Sequence, residues 1–136
     1  EKVLADRDRG LFADIEASFT DMLSRLARSR YRGADDWNSI PRALVRNDGE
    51  AISFGHLSGG TKDLFALAIR LSIADYYLSK SEGFLMLDDP FAELDPDRAS
   101  EPAVLLESMA ERHQLIVLTC HPEHADLFGP NTLHHL

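Results

Sequence analysis

Two short apolar runs, each ending in polar residues, constrain the fold of this chain more than any other feature. Residues 84–87 precede a pair of aspartates, and residues 115–118 precede a Thr-Cys-His segment. A helical pattern over residues 98–113 separates the two runs. A strand, a helix and a second strand in this order form a right-handed parallel unit, whose ligands bind beyond the carboxyl ends of the strands. The sequence therefore predicts an α/β fold in which the first strand is buried on both faces and the polar residues of both strands lie at one edge.

The aspartates after the first run, Asp88 and Asp89, have the chemistry of a phosphate-processing site. One carboxylate can hold magnesium through water, and the next can orient or deprotonate an attacking water. The alternative is a strand end whose aspartate caps the next helix. The Glu93-Leu94-Asp95 segment that follows is by itself only a turn into that helix.

The second run ends near His121, whose side chain could donate a hydrogen bond to a terminal phosphate; the alternative is an ordinary surface histidine. Cys120, His121 and His124 crowd three candidate ligands into five residues with no fourth partner, so we expect no metal there. Adjacent strand residues point to opposite faces, so Cys120 and His121 are not expected to act as a nucleophile pair. A single cysteine excludes an intrachain disulfide and a multi-cysteine zinc site.

A glycine-rich turn over residues 55–60 precedes a strongly apolar helical pattern at residues 62–79, with Ser58 as the expected N-cap. Backbone N–H groups at a helix N-terminus form a ready phosphate site; the alternative is a capped turn without a ligand. The turn is not a P-loop, because Thr61 precedes Lys62 where a P-loop has lysine first.

The remaining chain gives weaker signals. Short strand-like runs at residues 43–46 and 51–54 flank an Asp-Gly turn and predict a hairpin, whereas residues 31–41 are rich in loop residues. Residues 1–30 have helical periodicity, typical either of an amphipathic helix on a core or of the end of a coiled coil.

Charge and hydropathy limit the partners. The 136 residues carry a net charge of −9, with +1 on residues 1–32 and −10 on the rest. Any DNA contact is therefore expected on a local basic face or on parts of the protein outside this sequence. The single cysteine indicates a reducing, cytoplasmic setting, and the sequence has no long apolar run or signal-peptide pattern that would predict membrane contact.

The order of these motifs resembles the C-terminal half of an ABC-type ATPase head of the SMC/SbcC branch, in particular the YhaN-type relatives of SbcC. The resemblance rests on LSGGTKDLFALAIRLSIADYYL, LDDPFAELD and LTCH, and covers residues 43–128. It implies the C-terminal lobe of a P-loop ABC-type head, a mostly parallel sheet flanked by helices, at residues 31–136. Residues 1–30 would be the end of a returning coiled coil.

The resemblance also implies which residues bind ATP. The signature motif, which contacts the γ-phosphate of ATP held by the opposing head, is matched by Leu57, Ser58, Gly59 and Gly60. Arg70 lies where SbcC-like ATPases have a basic residue that relays the nucleotide state; its alternative is a solvated arginine on a helix.

The segments after the two runs would complete the site. Asp88 matches the Walker B magnesium residue, and Asp89 stands where the family usually has a catalytic glutamate. The D-loop that crosses the dimer interface is matched by the Glu93-Leu94-Asp95 segment, and the switch histidine by His121.

Two departures from the family pattern concern activity. Asp89 is one methylene shorter than glutamate, and a misplacement of about 1 Å can cost roughly a hundredfold in rate. Walker A and the glutamine loop are missing from this sequence, so the resemblance implies that this chain alone does not hold ATP well.

The resemblance implies a nucleoid-associated ATPase that dimerises on ATP and drives conformational change on double-stranded DNA in repair or chromosome maintenance. Its implied partners are the N-terminal lobe, a second head and a nuclease protein, and its cofactors are ATP and magnesium. The alternatives are a transporter nucleotide-binding domain and a non-hydrolysing, nucleotide-gated head, including one in anti-phage defence. We also expect an apolar edge through which the isolated lobe self-associates.

Overall fold

The computed structural model describes residues 2–35, 37, 41–94 and 96–129, and the side chains among them except those of residues 2–11 and 96. The chain divides into two compact units, Glu1–Tyr77 and Leu78–Leu136. The predicted division into the end of a coiled coil at residues 1–30 and a head lobe at residues 31–136 stays a prediction.

The first unit combines two helices with an antiparallel sheet. Its elements are α1 (Lys2–Leu26), β1 (Tyr31–Ala34), β2 (Ala43–Arg46), β3 (Ala51–Ser53), a 3₁₀ turn (Phe54–His56) and α2 (Gly59–Leu78). The strands pair in the order β1-β2-β3, which confirms the predicted hairpin between β2 and β3.

Strand β1 falls in the segment that the sequence predicted to be a loop, and that prediction is wrong for Tyr31–Ala34. Four residues that include Gly33 give no alternating pattern, so pairing with β2 decides the conformation. The Asp35 carboxylate then accepts the backbone N–H groups of Arg42 and Ala43, at 3.0 and 2.8 Å, and fastens the loop.

Aromatic rings fill the core of the first unit. The ring of Phe19, from α1, meets the rings of Trp37 and Phe65 edge-on, with centroids 5.0 and 5.5 Å apart. The buried positions of α1 recur at helical spacing: Ile15, Phe19, Met22, Leu23 and Leu26. The C-terminal half of α1 is therefore an amphipathic helix on a core, as one of the two sequence interpretations has it.

The second unit is a strand–helix–strand arrangement. It contains β4 (Phe84–Asp88), α3 (Pro96–Ala110), β5 (Gln114–Leu118) and a short α4 (Pro122–Ala125). β4 and β5 pair in parallel from Phe84↔Gln114 to Asp88↔Leu118. This confirms the α/β class and the parallel sheet, which has two strands among the described residues. The core lies between sheet and helices, on Leu87, Phe91, Leu94, Leu105, Leu106 and Met109.

One expectation about β4 is wrong: the strand is not buried on both faces. Leu87 is buried, but Phe84 and Met86 are 56% and 53% exposed. Alternate residues of a strand point to opposite faces, and the described residues of this chain cover only one of them. A continuous apolar run is typical of a strand whose two faces are both buried, so the exposed face of β4 is one that another protein surface would be expected to cover.

Among the described helices, none has both the length and the apolar character needed to cross a membrane.

Candidate functional site

The polar residues of the second unit meet at the carboxyl edge of the parallel sheet. Asp88 is paired with Leu118, so both strands end at the same level. Asp89 continues from β4 and Thr119 from β5, and the Thr119 hydroxyl donates a hydrogen bond of 2.6 Å to Asp89 Oδ1. Cys120 donates its thiol proton to Asp89 Oδ2, with Sγ and Oδ2 3.3 Å apart. The edge predicted from the sequence therefore forms.

The backbone at Asp89 turns sharply to make these contacts. Its φ angle is +43°, in the left-handed region that aspartate tolerates better than most residues. The Asp89 N–H donates to the Leu118 carbonyl at 2.8 Å, and the Asp89 carbonyl accepts from the Ala92 N–H at 3.2 Å. This turn directs the carboxylate toward the end of β5, whereas Asp88 stays exposed.

These hydrogen bonds change the acidity of the groups. The Thr119 hydroxyl, followed by the Cys120 thiol, lowers the pKa of Asp89 below its ordinary value of 3.8; partial burial opposes the shift, and His121 adds to it. The same contact raises the pKa of the Cys120 thiol above 9.0, because Asp89 accepts its proton and its charge disfavours the thiolate. Asp89 is thus ionised and Cys120 protonated at neutral pH.

His121 is connected to the same edge through Thr119. Its backbone N–H donates to Thr119 Oγ1 at 3.1 Å, so one hydroxyl joins the histidine segment to Asp89. The His121 ring is half-exposed, and its Nδ1 lies 3.6 Å from a carboxylate oxygen of Glu123. His124, by contrast, is buried against Phe91, with ring centroids 5.9 Å apart.

The expectation that Cys120 and His121 point apart is wrong. Strand alternation holds only inside a strand, and both residues lie past the end of β5. One ligand atom from each of Asp89, Cys120 and His121 lies within 4.8 Å of the others. The group that forms therefore contains Asp89, from the other strand, and not His124, which the sequence placed beside Cys120 and His121 without predicting a metal.

The glycine-rich turn of the first unit has the predicted cap. The Ser58 carbonyl accepts the Lys62 N–H at 3.0 Å, and Ser58 Oγ lies 3.4 Å from the Thr61 nitrogen and 2.8 Å from Thr61 Oγ1. Leu57 is buried and anchors the turn, whereas Ser58 and Gly59 are exposed. A Cβ added at Gly59 would meet no atom within 4 Å, so packing within the chain does not require a glycine there.

The other predicted site residues that the structure describes lie on α2 and in the turn after β4. Arg70 is exposed on α2; Glu93 is exposed and Leu94 buried in the turn after β4; Asp95 lies outside the described residues. Sequence reasoning missed Thr119 as the residue that joins Asp89 to His121. The sequence feature that could have identified Thr119 is its position directly after one strand, because the parallel neighbour of that strand ends in two carboxylates.

No family model matches this sequence. It is 33% identical over 110 residues to the DNA double-strand break repair Rad50 ATPase of Sulfurisphaera tokodaii, covering 80% of this chain and 12% of that protein. It is 28% identical over 118 residues to the SbcC protein of the SbcCD nuclease from Deinococcus radiodurans, covering 83% of this chain and 13% of that protein. The chain is therefore similar in sequence to Rad50 and SbcC proteins over about four fifths of its own length. It spans about an eighth of the length of these relatives.

Solved structures show the same fold. A chain from a study of ATP-driven dimerization and DNA-stimulated activation of SMC ATPases matches with a TM-score of 0.72 at 20% identity, over 90% of this chain and 77% of that one. The SMC head domain from Thermotoga maritima matches with a TM-score of 0.64 at 23% identity, over 90% and 43%. The resemblance to a C-terminal segment of an SMC/SbcC head and its fold are thereby confirmed.

Proposed function

We propose that this chain is the C-terminal part of an ATPase head of the Rad50 and SbcC kind, which closes on ATP against a second head and changes conformation on double-stranded DNA. The observation that carries the proposal is the parallel pairing of β4 with β5, which brings Asp88, Asp89 and residues 119–121 to one edge. Similarity to a Rad50 protein that is named as an ATPase supports ATP as the nucleotide.

Asp88 has the properties of a magnesium ligand. Its carboxylate is exposed at the end of a strand, and magnesium prefers hard oxygen ligands and keeps several waters. Magnesium, when bound, neutralises charge on the phosphates of ATP. We assign Asp88 to hold the ion through water.

Asp89 has the role of orienting the attacking water. An ionised carboxylate has about four lone-pair positions, so the bonds from Thr119 and Cys120 leave capacity for a water. Those two bonds also fix the direction of the carboxylate, so that it can hold the attacking water in one orientation. His121, joined to the same hydroxyl through its backbone, donates to the terminal phosphate in this proposal.

The turn before α2 serves the nucleotide of the opposing head. Leu57 anchors the turn, and Ser58, Gly59 and Gly60 present it at the N-terminus of a 20-residue helix, where an anion is favoured. Because a Cβ at Gly59 meets nothing inside the chain, we infer that the glycine serves close approach of a group from outside it. Arg70 relays the nucleotide state in this proposal, and Glu93, Leu94 and Asp95 contact the second head.

We infer the remaining partners from the family resemblance and from the name of one relative. The N-terminal lobe supplies Walker A, and the SbcCD nuclease, to which one relative belongs by name, suggests a nuclease partner for this protein too. Repair or chromosome maintenance inside the cytoplasm is the setting that we propose.

A second candidate function is a nucleotide-gated head that does not hydrolyse ATP. One observation favours it: both carboxylate oxygens of the short Asp89 side chain already accept hydrogen bonds, and its pKa is lowered. A carboxylate of lower pKa is a weaker general base. Such a head would close on ATP and open only on nucleotide exchange.

ATP hydrolysis and ATP binding by the full-length protein separate these functions. We expect turnover in the unchanged protein and its loss, by about a hundredfold or more, in Asp89→Asn and Gly59→Ala. Asp126→Asn and Gly55→Ala are the matched controls, because Asp126 is exposed and a Cβ at Gly55 makes only an ordinary 3.8 Å contact with Ser53 Oγ. Binding without turnover in the unchanged protein establishes the gated head, and absence of binding contradicts both functions.

A further inference from the structure

A cluster of three different ligand types lies at the sheet edge. One oxygen of Asp89, Sγ of Cys120 and one ring nitrogen of His121 all lie within 4.8 Å of one another. We propose that these three residues form a binding site for Zn²⁺, separate in chemistry from the magnesium position assigned to Asp88. Carboxylate, thiolate and imidazole are the three protein ligand types that zinc takes.

The distances allow the site to form with small side-chain movements. Zinc–ligand bonds of about 2.0–2.3 Å place neighbouring tetrahedral ligand atoms roughly 3.2–3.8 Å apart. Cys120 Sγ and Asp89 Oδ2 are already 3.3 Å apart. The ligand atoms of the three residues lie at most 4.8 Å apart, so a movement of about 1 Å brings them to zinc-binding distances. Their side chains lie past the strand ends and are exposed or half-exposed, so a change of rotamer can supply this movement.

The charges around the cluster favour a cation. Asp88 is exposed beside Asp89, and a carboxylate oxygen of Glu123 lies 3.6 Å from His121 Nδ1. A carboxylate next to a ligating histidine fixes the orientation of the ring and strengthens it as a ligand. Zinc binding replaces the S–H···O bond between Cys120 and Asp89: the thiol proton passes to solvent, and the thiolate sulfur bonds to the ion.

The donor set also distinguishes zinc from magnesium. Thiolate and imidazole favour zinc, whereas magnesium prefers oxygen donors and water. Three protein ligands leave a fourth position for water, so the site binds reversibly rather than as a closed structural site. If the proposed function holds, zinc at this site withdraws Asp89 from its water and inhibits ATP hydrolysis.

Cobalt titration of the purified protein tests the site without ATP. We expect Co²⁺ to give a thiolate charge-transfer band with the visible bands of a tetrahedral ion, and Zn²⁺ to abolish both. Asp89→Asn and His121→Gln should each weaken cobalt affinity by about tenfold or more. His56→Gln and Asp126→Asn, which remove an exposed imidazole and an exposed carboxylate elsewhere, should leave the titration unchanged.

Two results would overturn the proposal. One is the absence of a thiolate band at millimolar cobalt. The other is an unchanged affinity in both Asp89→Asn and His121→Gln, which would show that Cys120 takes up the ion without them. Circular dichroism verifies that each variant keeps the helix content of the unchanged protein. A zinc site in a protein without ATPase activity contradicts only the proposed function, and ATPase activity without cobalt bands contradicts only the zinc site.

Discussion

At the scale of single residues, Thr119 determines how Asp89 is held. Its hydroxyl makes the shorter of the two side-chain bonds to the carboxylate and is the largest cause of the lowered pKa. Thr119→Val removes this donor with little change of shape, so the pKa of Asp89 should rise toward 3.8. A ¹³C NMR titration of the Asp89 carboxyl carbon in metal-free buffer measures it, with Ser100→Ala, which removes an exposed hydroxyl in the same unit, as control.

The lowered pKa of Asp89 also determines the direction in which the stability of the protein changes with pH. A carboxyl whose folded pKa is depressed contributes stability above its ordinary pKa, and the contribution is lost as the pH falls through the folded value. Asp89 should therefore stabilise the protein above about pH 4 and cease to do so in more acidic solution. Thr119→Val should flatten this part of the stability curve. An Asp89 pKa that stays equally low in the variant would show that the hydroxyl is not its cause.

At the scale of elements, the ring of Phe19 lies where α1 packs against α2. Phe19 is fully buried and contacts the rings of Trp37 and Phe65. Phe19→Ala should lower the free energy of unfolding by about 3–5 kcal/mol, because it removes buried apolar surface and leaves a cavity. Urea unfolding measures the change.

Phe12→Ala is the matched control in the same helix. The Phe12 side chain is 46% exposed, so its removal should cost much less than that of Phe19. Equal losses in the two variants would contradict the assignment of the C-terminal half of α1 to the core of the first unit.

At the scale of the whole molecule, the open face of β4 is the largest departure from what the sequence predicts. Phe84 and Met86 lie two residues apart on that face and are both more than half exposed. Exposed apolar patches mark surfaces that other protein covers. We expect the isolated chain to associate with a second copy through this face, as measured by size-exclusion chromatography with light scattering.

The double variant Phe84→Lys, Met86→Lys should be monomeric. Val104→Lys is the control, because Val104 is also 56% exposed but lies on α3. Equal association of the double variant and the control would place the contact elsewhere, and a monomeric unchanged chain at high concentration would contradict the prediction.

The sequence by itself determined the elements whose signals are local. The β2–β3 hairpin follows from an Asp-Gly turn between short strands, the start of α2 from Ser58, and the two parallel strands from apolar runs that end in polar residues. The fold class followed from their order, and the motif order also identified the relatives. Each of these signals lies within a few residues of chain, where the spacing of side chains reflects one backbone conformation.

Only the tertiary structure decided which side chains meet. It gave Asp89 the partners Thr119 and Cys120, some thirty positions away, and it made Asp89 rather than His124 the third member of the ligand cluster. It also made a strand of Tyr31–Ala34 and left one face of β4 open. Such contacts depend on strand register and on what covers each face. Neither is encoded in any local pattern, because each is fixed by segments that are distant in sequence.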